Sequence, residues 1–139
     1  MKMIRFSILA AILLAATMSL TTAHENHQQN IADKPKIEDL MTRVLEGAQG
    51  LEVILSHVAL PPDTALPKHW HPGEEFAYVL QGSVTLFLEG KEMKVISEGE
   101  VGMVPLKHIH SATSGAKGVT LLVFRVHEQG KPGRVPVKE

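Results

Sequence analysis

The chain has 139 residues, a formal net charge of −1, eight histidines and no cysteine. That length holds one domain with one core, and 14 basic against 15 acidic side chains leave no basic stripe of the kind nucleic acid requires. Without cysteine, neither a disulfide framework nor a thiolate metal site can be built.

Residues 1–23 read as an export signal. Lys2 and Arg5 supply a positive start, Phe6 to Leu20 form an apolar run, and Thr21-Thr22-Ala23 make a small-residue exit. The run is shorter than the roughly 20 apolar residues that span a bilayer, so cleavage after Ala23 is expected, and with it a periplasmic or secreted protein. No cysteine follows the run, which excludes a lipoprotein anchor. Residues 24–36 form a flexible polar leader without pattern. Cleavage would free an amine at His24, which with its own imidazole and His27 could chelate copper; a disordered leader is the simpler reading.

The domain is expected over residues 37–126. Ile37, Leu40, Met41, Val44 and Leu45 fall at helical spacing, with Gly47 as a stop, so a short helical or irregular segment packs at its start. From Leu51 the pattern changes. Leu51 to Leu60 is rich in branched apolar residues and closes on Pro61-Pro62-Asp63, a strand followed by a turn. His57, inside that strand, reads as a hydrogen-bonded structural histidine rather than a ligand.

The stretch His69 to Gly82 reads H-W-H-P-G-E-E-F-A-Y-V-L-Q-G. In an extended strand alternate side chains share a face, so His69 and His71 can put two imidazole nitrogens on one ion, while Trp70 points outward. Pro72 and Gly73 break the strand. Glu75 then opens a second run and can return a carboxylate to the same point, with Glu74 on the opposite, solvated side. Further short strands are expected at Glu75 to Leu80, Ser83 to Glu89, Glu92 to Ile96, Gly102 to Val104 and Val119 to Val126, with a hairpin turn at Glu89-Gly90-Lys91. Short strands at this spacing, separated by Gly and Pro, indicate an all-β sandwich or barrel. In V-P-L-K-H-I-H, Val104 to His110, Pro105 marks a turn, and His108 and His110 share a face; one of them is a further candidate ligand. Residues 127–139 hold two prolines and two glycines, so they are expected as a solvated tail or as cover for a neighbouring subunit's sheet edge.

Two of these stretches together resemble the cupin superfamily. Its first motif, H-x-H, three or four residues, E, six residues, G, is matched by His69, His71, Glu75 and Gly82. Its second motif is matched at Gly99, Pro105 and His110. Lys107 stands where the family has glycine, Ser114 where it has asparagine, and Asp63 replaces the glycine that often opens the first motif. These departures bear on turn geometry and not on the ligand set. The resemblance spans roughly Leu51 to Val126. It implies a double-stranded β-helix, or jelly-roll barrel, commonly homodimeric, in which His69, His71, Glu75 and His110 hold one metal. The family's spacing favours His110 over His108, and Glu75 often doubles as a base.

Three imidazoles and a carboxylate suit iron, manganese, nickel, copper or zinc and not calcium. An octahedral ion would keep two positions open for chemistry, whereas tetrahedral zinc would be closed and structural. Two classes of function follow: a metal-dependent oxygenase- or lyase-type enzyme acting on a small molecule, or an exported protein that binds or senses a metal or small ligand without turnover. Ala77 and Val79 share the inward face with Glu75, and no charged substrate clamp is evident, so an aromatic or weakly charged ligand is expected.

Overall fold

The computed structural model describes residues 33–138. The expected export signal and most of the polar leader, with His24 and His27, lie outside the described residues. The rest is all strand: β1 (Lys36–Val44), β2 (Leu51–Leu60), β3 (Ala65–Trp70), β4 (Gly73–Leu88), β5 (Lys94–Ser97), β6 (Val101–Val104), β7 (His110–Glu128) and β8 (Val135–Pro136). They form one curled sheet in the order β1-β2-β7-β3-β8, with β4 pairing β7 and carrying β5 and β6. This is a jelly-roll barrel.

The sheet is organised by an antiparallel ribbon of β4 and β7, from Gly73 opposite His127 to Leu88 opposite His110. Register shifts at Val79/Gln81 and Gly82/Val84 bend the ribbon midway. At the bend Gly82 and Gly118 both have positive φ, 79° and 74°. A Cβ on Gly82 would run into the Gly118 carbonyl oxygen, so the corner closes only with glycine. On either side of it, β6 and β5 flank the two halves of β4, and β2 and β3 flank the two halves of β7. Both long strands are therefore paired along both edges over most of their length, which leaves few free edges at the centre.

Alternation along these strands sends one side chain in two to the inside. Val58, Leu60, Val79, Val84, Leu86, Ile96, Val104, Val119, Leu121 and Val123 make the apolar core. Each such side chain stabilises the fold by about 1.5–3 kcal/mol when fully buried.

Two expectations are corrected. The stretch expected to begin as a helix is the edge strand β1, paired with β2 from Lys36 opposite Ala59 to Val44 opposite Glu52. A bulge between Asp39 and Met41 inserts Leu40 as an extra residue, and this insertion gives the apolar positions of a strand the spacing of a helix. All nine residues of β1 are exposed, so it does not pack as expected. The C-terminal tail is solvated only in part and returns to its own barrel: β8 pairs with β3, Trp70 opposite Val135 and His69 opposite Pro136. Gly130, at φ 72°, begins the reversal that brings it there.

At two of the departures from the family pattern a residue other than glycine adopts a left-handed backbone. Among the described residues, Asp63 and Lys107 are the non-glycine residues with positive φ, 50° and 56°. The turns keep their left-handed geometry and the side chains bear the strain. Ser114, the third departure, is buried and joins β7 to the turn after β2: its Oγ accepts from Thr64 N at 2.8 Å and donates to the Pro61 carbonyl.

Candidate metal centre

His69 near the end of β3 pairs directly with His110, the first residue of β7, so two imidazoles start from neighbouring strands. His71 lies two residues beyond His69, and Glu75 enters from the start of β4. The ring centroids are 4.2 Å apart for His69 and His110, 4.9 Å for His69 and His71, and 5.0 Å for His71 and His110. One nitrogen from each ring lies within 4.8 Å of the others, and all three residues are buried.

Each ring is fixed from behind by a backbone carbonyl. His69 Nδ1 donates to Pro67 O at 2.8 Å, His71 Nδ1 to Gly133 O at 2.6 Å, and His110 Nδ1 to His108 O at 3.0 Å. A carbonyl oxygen can only accept, so every Nδ1 carries its proton and, in the neutral ring, every Nε2 keeps a lone pair. Metal-binding histidines are anchored in this way. The Nε2 atoms of His71 and His110 are buried without a hydrogen-bond partner, an omission that costs about 1–3 kcal/mol each unless something else takes the lone pair. Glu75 Oε2 stands 3.0 Å from His71 Nε2. With the Nδ1 proton committed to Gly133, two lone pairs face each other there, and only a proton or a cation between them relieves the repulsion.

The protonation states agree with a cation. Burial pushes His69 down to about 4; the Pro67 hydrogen bond opposes this, and the positive charges of His110, Arg134 and His71 add to it. Burial also lowers His110, against the opposing pull of the His108 carbonyl and Glu75. Burial raises Glu75, but a proton shared with His71 across the 3.0 Å contact, and positive charge on His71, His110 and Arg125, bring it below the ordinary carboxylate value. Near neutral pH His69 and His110 are therefore neutral and Glu75 is ionised. Three imidazole nitrogens and a carboxylate, with no sulfur, fit a divalent ion of the iron, manganese, nickel, copper or zinc kind.

The cluster forms one wall of a cavity of about 290 Å³ inside the barrel, otherwise lined mainly by apolar side chains such as Leu66, Ala77, Leu86, Ile96, Val104 and Leu121. That volume is at the lower limit of small-molecule pockets, about 300–1,000 Å³. Ala77 lines the cavity as its parity requires, whereas Val79 is buried in the core and does not reach it. His108 turns away and donates Nε2 to Glu89 O at 2.8 Å. His57 is on the outer face of β2, since its neighbours Ser56 and Val58 are the ones that reach the cavity. Glu74 is exposed and Trp70 half-buried, both on the outward parity.

A charged clamp, not expected from the sequence, is present. Arg125 on β7 is buried and donates Nη1 to Gly133 O at 2.8 Å and Nη2 to Ser56 Oγ at 2.8 Å, with Asp39 Oδ1 at 3.4 Å. Arg134, in the tail, donates Nη2 to Pro67 O at 3.2 Å. Both guanidinium side chains line the cavity. Arg125 was legible as a charged residue at the inward parity of Leu121 and Val123; Arg134 carried no signal, because only the folded tail brings it here.

Fold and site together define a small β-barrel protein with a buried cluster of three histidines in its bore and Glu75 beside one of them, His71. The chain belongs to the cupin superfamily: the sequence pattern described as the Cupin domain matches residues 56–124. No curated protein sequence matches the chain significantly. Among solved structures it is similar to the DMSP lyase DddQ of Ruegeria pomeroyi DSS-3, with 21% identity and a TM-score of 0.58 over 77% of this chain and 55% of the lyase. It is similar to TT1209 of Thermus thermophilus, with 20% identity and a TM-score of 0.54 over 74% of this chain and 84% of that one. An oxalate oxidase matches with 25% identity and a TM-score of 0.53 over 61% of this chain and 46% of the oxidase. The chain thus spans about half the length of the lyase and less than half that of the oxidase.

Proposed function

We propose that this protein is an exported cupin that holds one divalent transition metal through His69, His71, His110 and Glu75 and acts as an oxygenase- or lyase-type enzyme on a small molecule in the barrel. The observation that carries this reading is the set of three imidazoles, each fixed through Nδ1 and close to the others on one wall of the barrel's cavity, with Glu75 at 3.0 Å from His71 Nε2. Bound there, the metal would supply Lewis-acid or oxygen chemistry. The chain's own residues supply the rest. The apolar lining excludes water and strengthens the electrostatics of the site, and Glu75, ionised and buried, is the group able to take a proton from a bound molecule.

The lyase and oxidase activities named for two proteins of this fold are consistent with that class of reaction. A second reading is a protein that binds or senses a metal or small ligand without turnover, for which the small volume of the cavity, about 290 Å³, speaks. Metal analysis by inductively coupled plasma mass spectrometry, on protein purified without histidine tag or chelator, tests the common part. About one equivalent of a transition metal is expected, and none even after reloading would overturn both readings. Turnover or oxygen uptake with any of a panel of small acids, catechols and diketones then separates enzyme from binder.

Export and homodimerisation belong to the same proposal. The outer face of the β4, β6 and β7 region exposes Tyr78, Val101, Met103 and Phe124, an apolar surface that a second copy would cover. Sedimentation of the purified protein tests the dimer, and N-terminal sequencing of exported material, with His24 expected first, tests the signal.

A further inference from the structure

The charges around the cavity do not balance once a divalent ion is included. Asp39 lies against Arg125, with Nη2 to Oδ1 at 3.4 Å, and Glu75 lies against His71. Arg134 has no such partner: among the described residues no carboxylate comes within 4.0 Å of its guanidinium. It donates to Pro67 O, and its buried Nε has no partner. A guanidinium offers five N–H donors in a planar fork that matches a carboxylate. A divalent ion held by neutral imidazoles and one carboxylate adds a further positive charge. In a bore whose walls are otherwise apolar, that excess is poorly screened.

We propose that the cavity takes a small organic carboxylate, its charged end paired with Arg134 beside the metal cluster and its apolar part filling the remainder of the bore. Arg134 thereby sets specificity, and the ligand is an acid rather than the weakly charged molecule that Ala77 and Val79 alone suggest. The proposal rests on reading the cluster as the floor of a ligand site, but the arginine's preference for an anion does not itself need the metal.

The test uses the full-length purified protein, with metal content measured in every sample. Butanoate and benzoate are titrated against butanamide and benzamide by isothermal titration calorimetry. Each acid is expected to bind about tenfold more tightly than its amide. Because a carboxylate also binds a metal directly, the acid-to-amide ratio is compared with that of Arg134→Gln, which keeps a donor for Pro67 O and removes the charge. In that variant the ratio falls by about fivefold or more at unchanged metal content, and Arg134→Lys restores part of it. The same fall is expected in chelator-treated protein. Equal binding of acid and amide, a ratio unmoved by Arg134→Gln, or no binding of any probe up to about 10 mM would overturn the proposal. An acid preference that depends on Arg134 in protein that never takes up metal would sink the metal reading and leave the carboxylate site standing. Stoichiometric metal without acid preference would do the reverse.

Discussion

His71 is held by Gly133. Its Nδ1 donates to the Gly133 carbonyl at 2.6 Å, across 62 residues of sequence, and the same oxygen accepts from Arg125 Nη1 at 2.8 Å. The Pro67 carbonyl is likewise shared, by His69 Nδ1 and Arg134 Nη2. The tail therefore orients His71 directly and touches the carbonyl that holds His69. Ending the chain at Lys131 should lower metal affinity by about 10–100-fold, as loss of the groups that orient ligands does, while the barrel still folds on β1 to β7. Competition with a chelator reads the affinity and circular dichroism the fold; unchanged affinity would contradict the arrangement.

Acid should destabilise the metal-free protein well before it reaches the carboxylates. His69 titrates at about 4 in the folded chain against an ordinary 6.5, and His110 is lowered as well. Between those values the unfolded chain binds more protons than the folded one, so stability rises with pH. The contribution is fully present above about 6.5 and is lost as pH falls toward 4. Glu75, also lowered, adds a loss of the same sign below its ordinary value. Melting temperature followed from pH 7 to pH 4 is expected to drop in metal-free protein, and metal should raise the whole curve near neutrality. A flat profile would contradict the lowered titration of His69 and His110.

Lys107 keeps a left-handed backbone, φ 56°, where the family has glycine. Relief of that conformation favours glycine by about 1–2 kcal/mol, and glycine's extra freedom in the unfolded chain offsets about 0.5–1 kcal/mol. Lys107→Gly should therefore stabilise the barrel by up to about 1 kcal/mol. Asp63→Gly should do less, because aspartate tolerates this region. Urea denaturation of the two variants gives the comparison, and a loss of stability in Lys107→Gly would refute the strain.

Gly82 predicts the opposite sign. Its φ of 79° and the Gly118 carbonyl oxygen leave no room for a methyl group. Gly82→Ala should cost about 1–3 kcal/mol or more, seen as a lower urea midpoint. A neutral result would mean the corner can open.

Much of this was legible in the sequence. The branched apolar run Leu51 to Leu60 and the short strands that follow it at close spacing, separated by Gly and Pro, pointed to the barrel. The spacing of His69, His71 and His110 pointed to the three imidazoles that meet, with Glu75 beside His71, and the pairing of His69 with His110 explains why His110 rather than His108 is among them. Two parts were hidden for physical reasons. The bulge at Leu40 puts apolar residues of a strand at helical spacing, so periodicity alone misreads β1. The tail seats itself through two residues of β8 and a few side-chain bonds to positions more than sixty residues earlier, and no local pattern records such contacts. Arg134 was hidden along with it.

The β4–β7 ribbon has a consequence for when the site comes into being. His69 and His110 become neighbours only after β7 has found its register, and His71 is fixed only when the last strand has closed over β3. These are late, long-range pairings. A chain that has not yet folded carries four scattered donors and no site. Any metal held by these residues is therefore bound after the barrel has closed and not by the chain as it emerges.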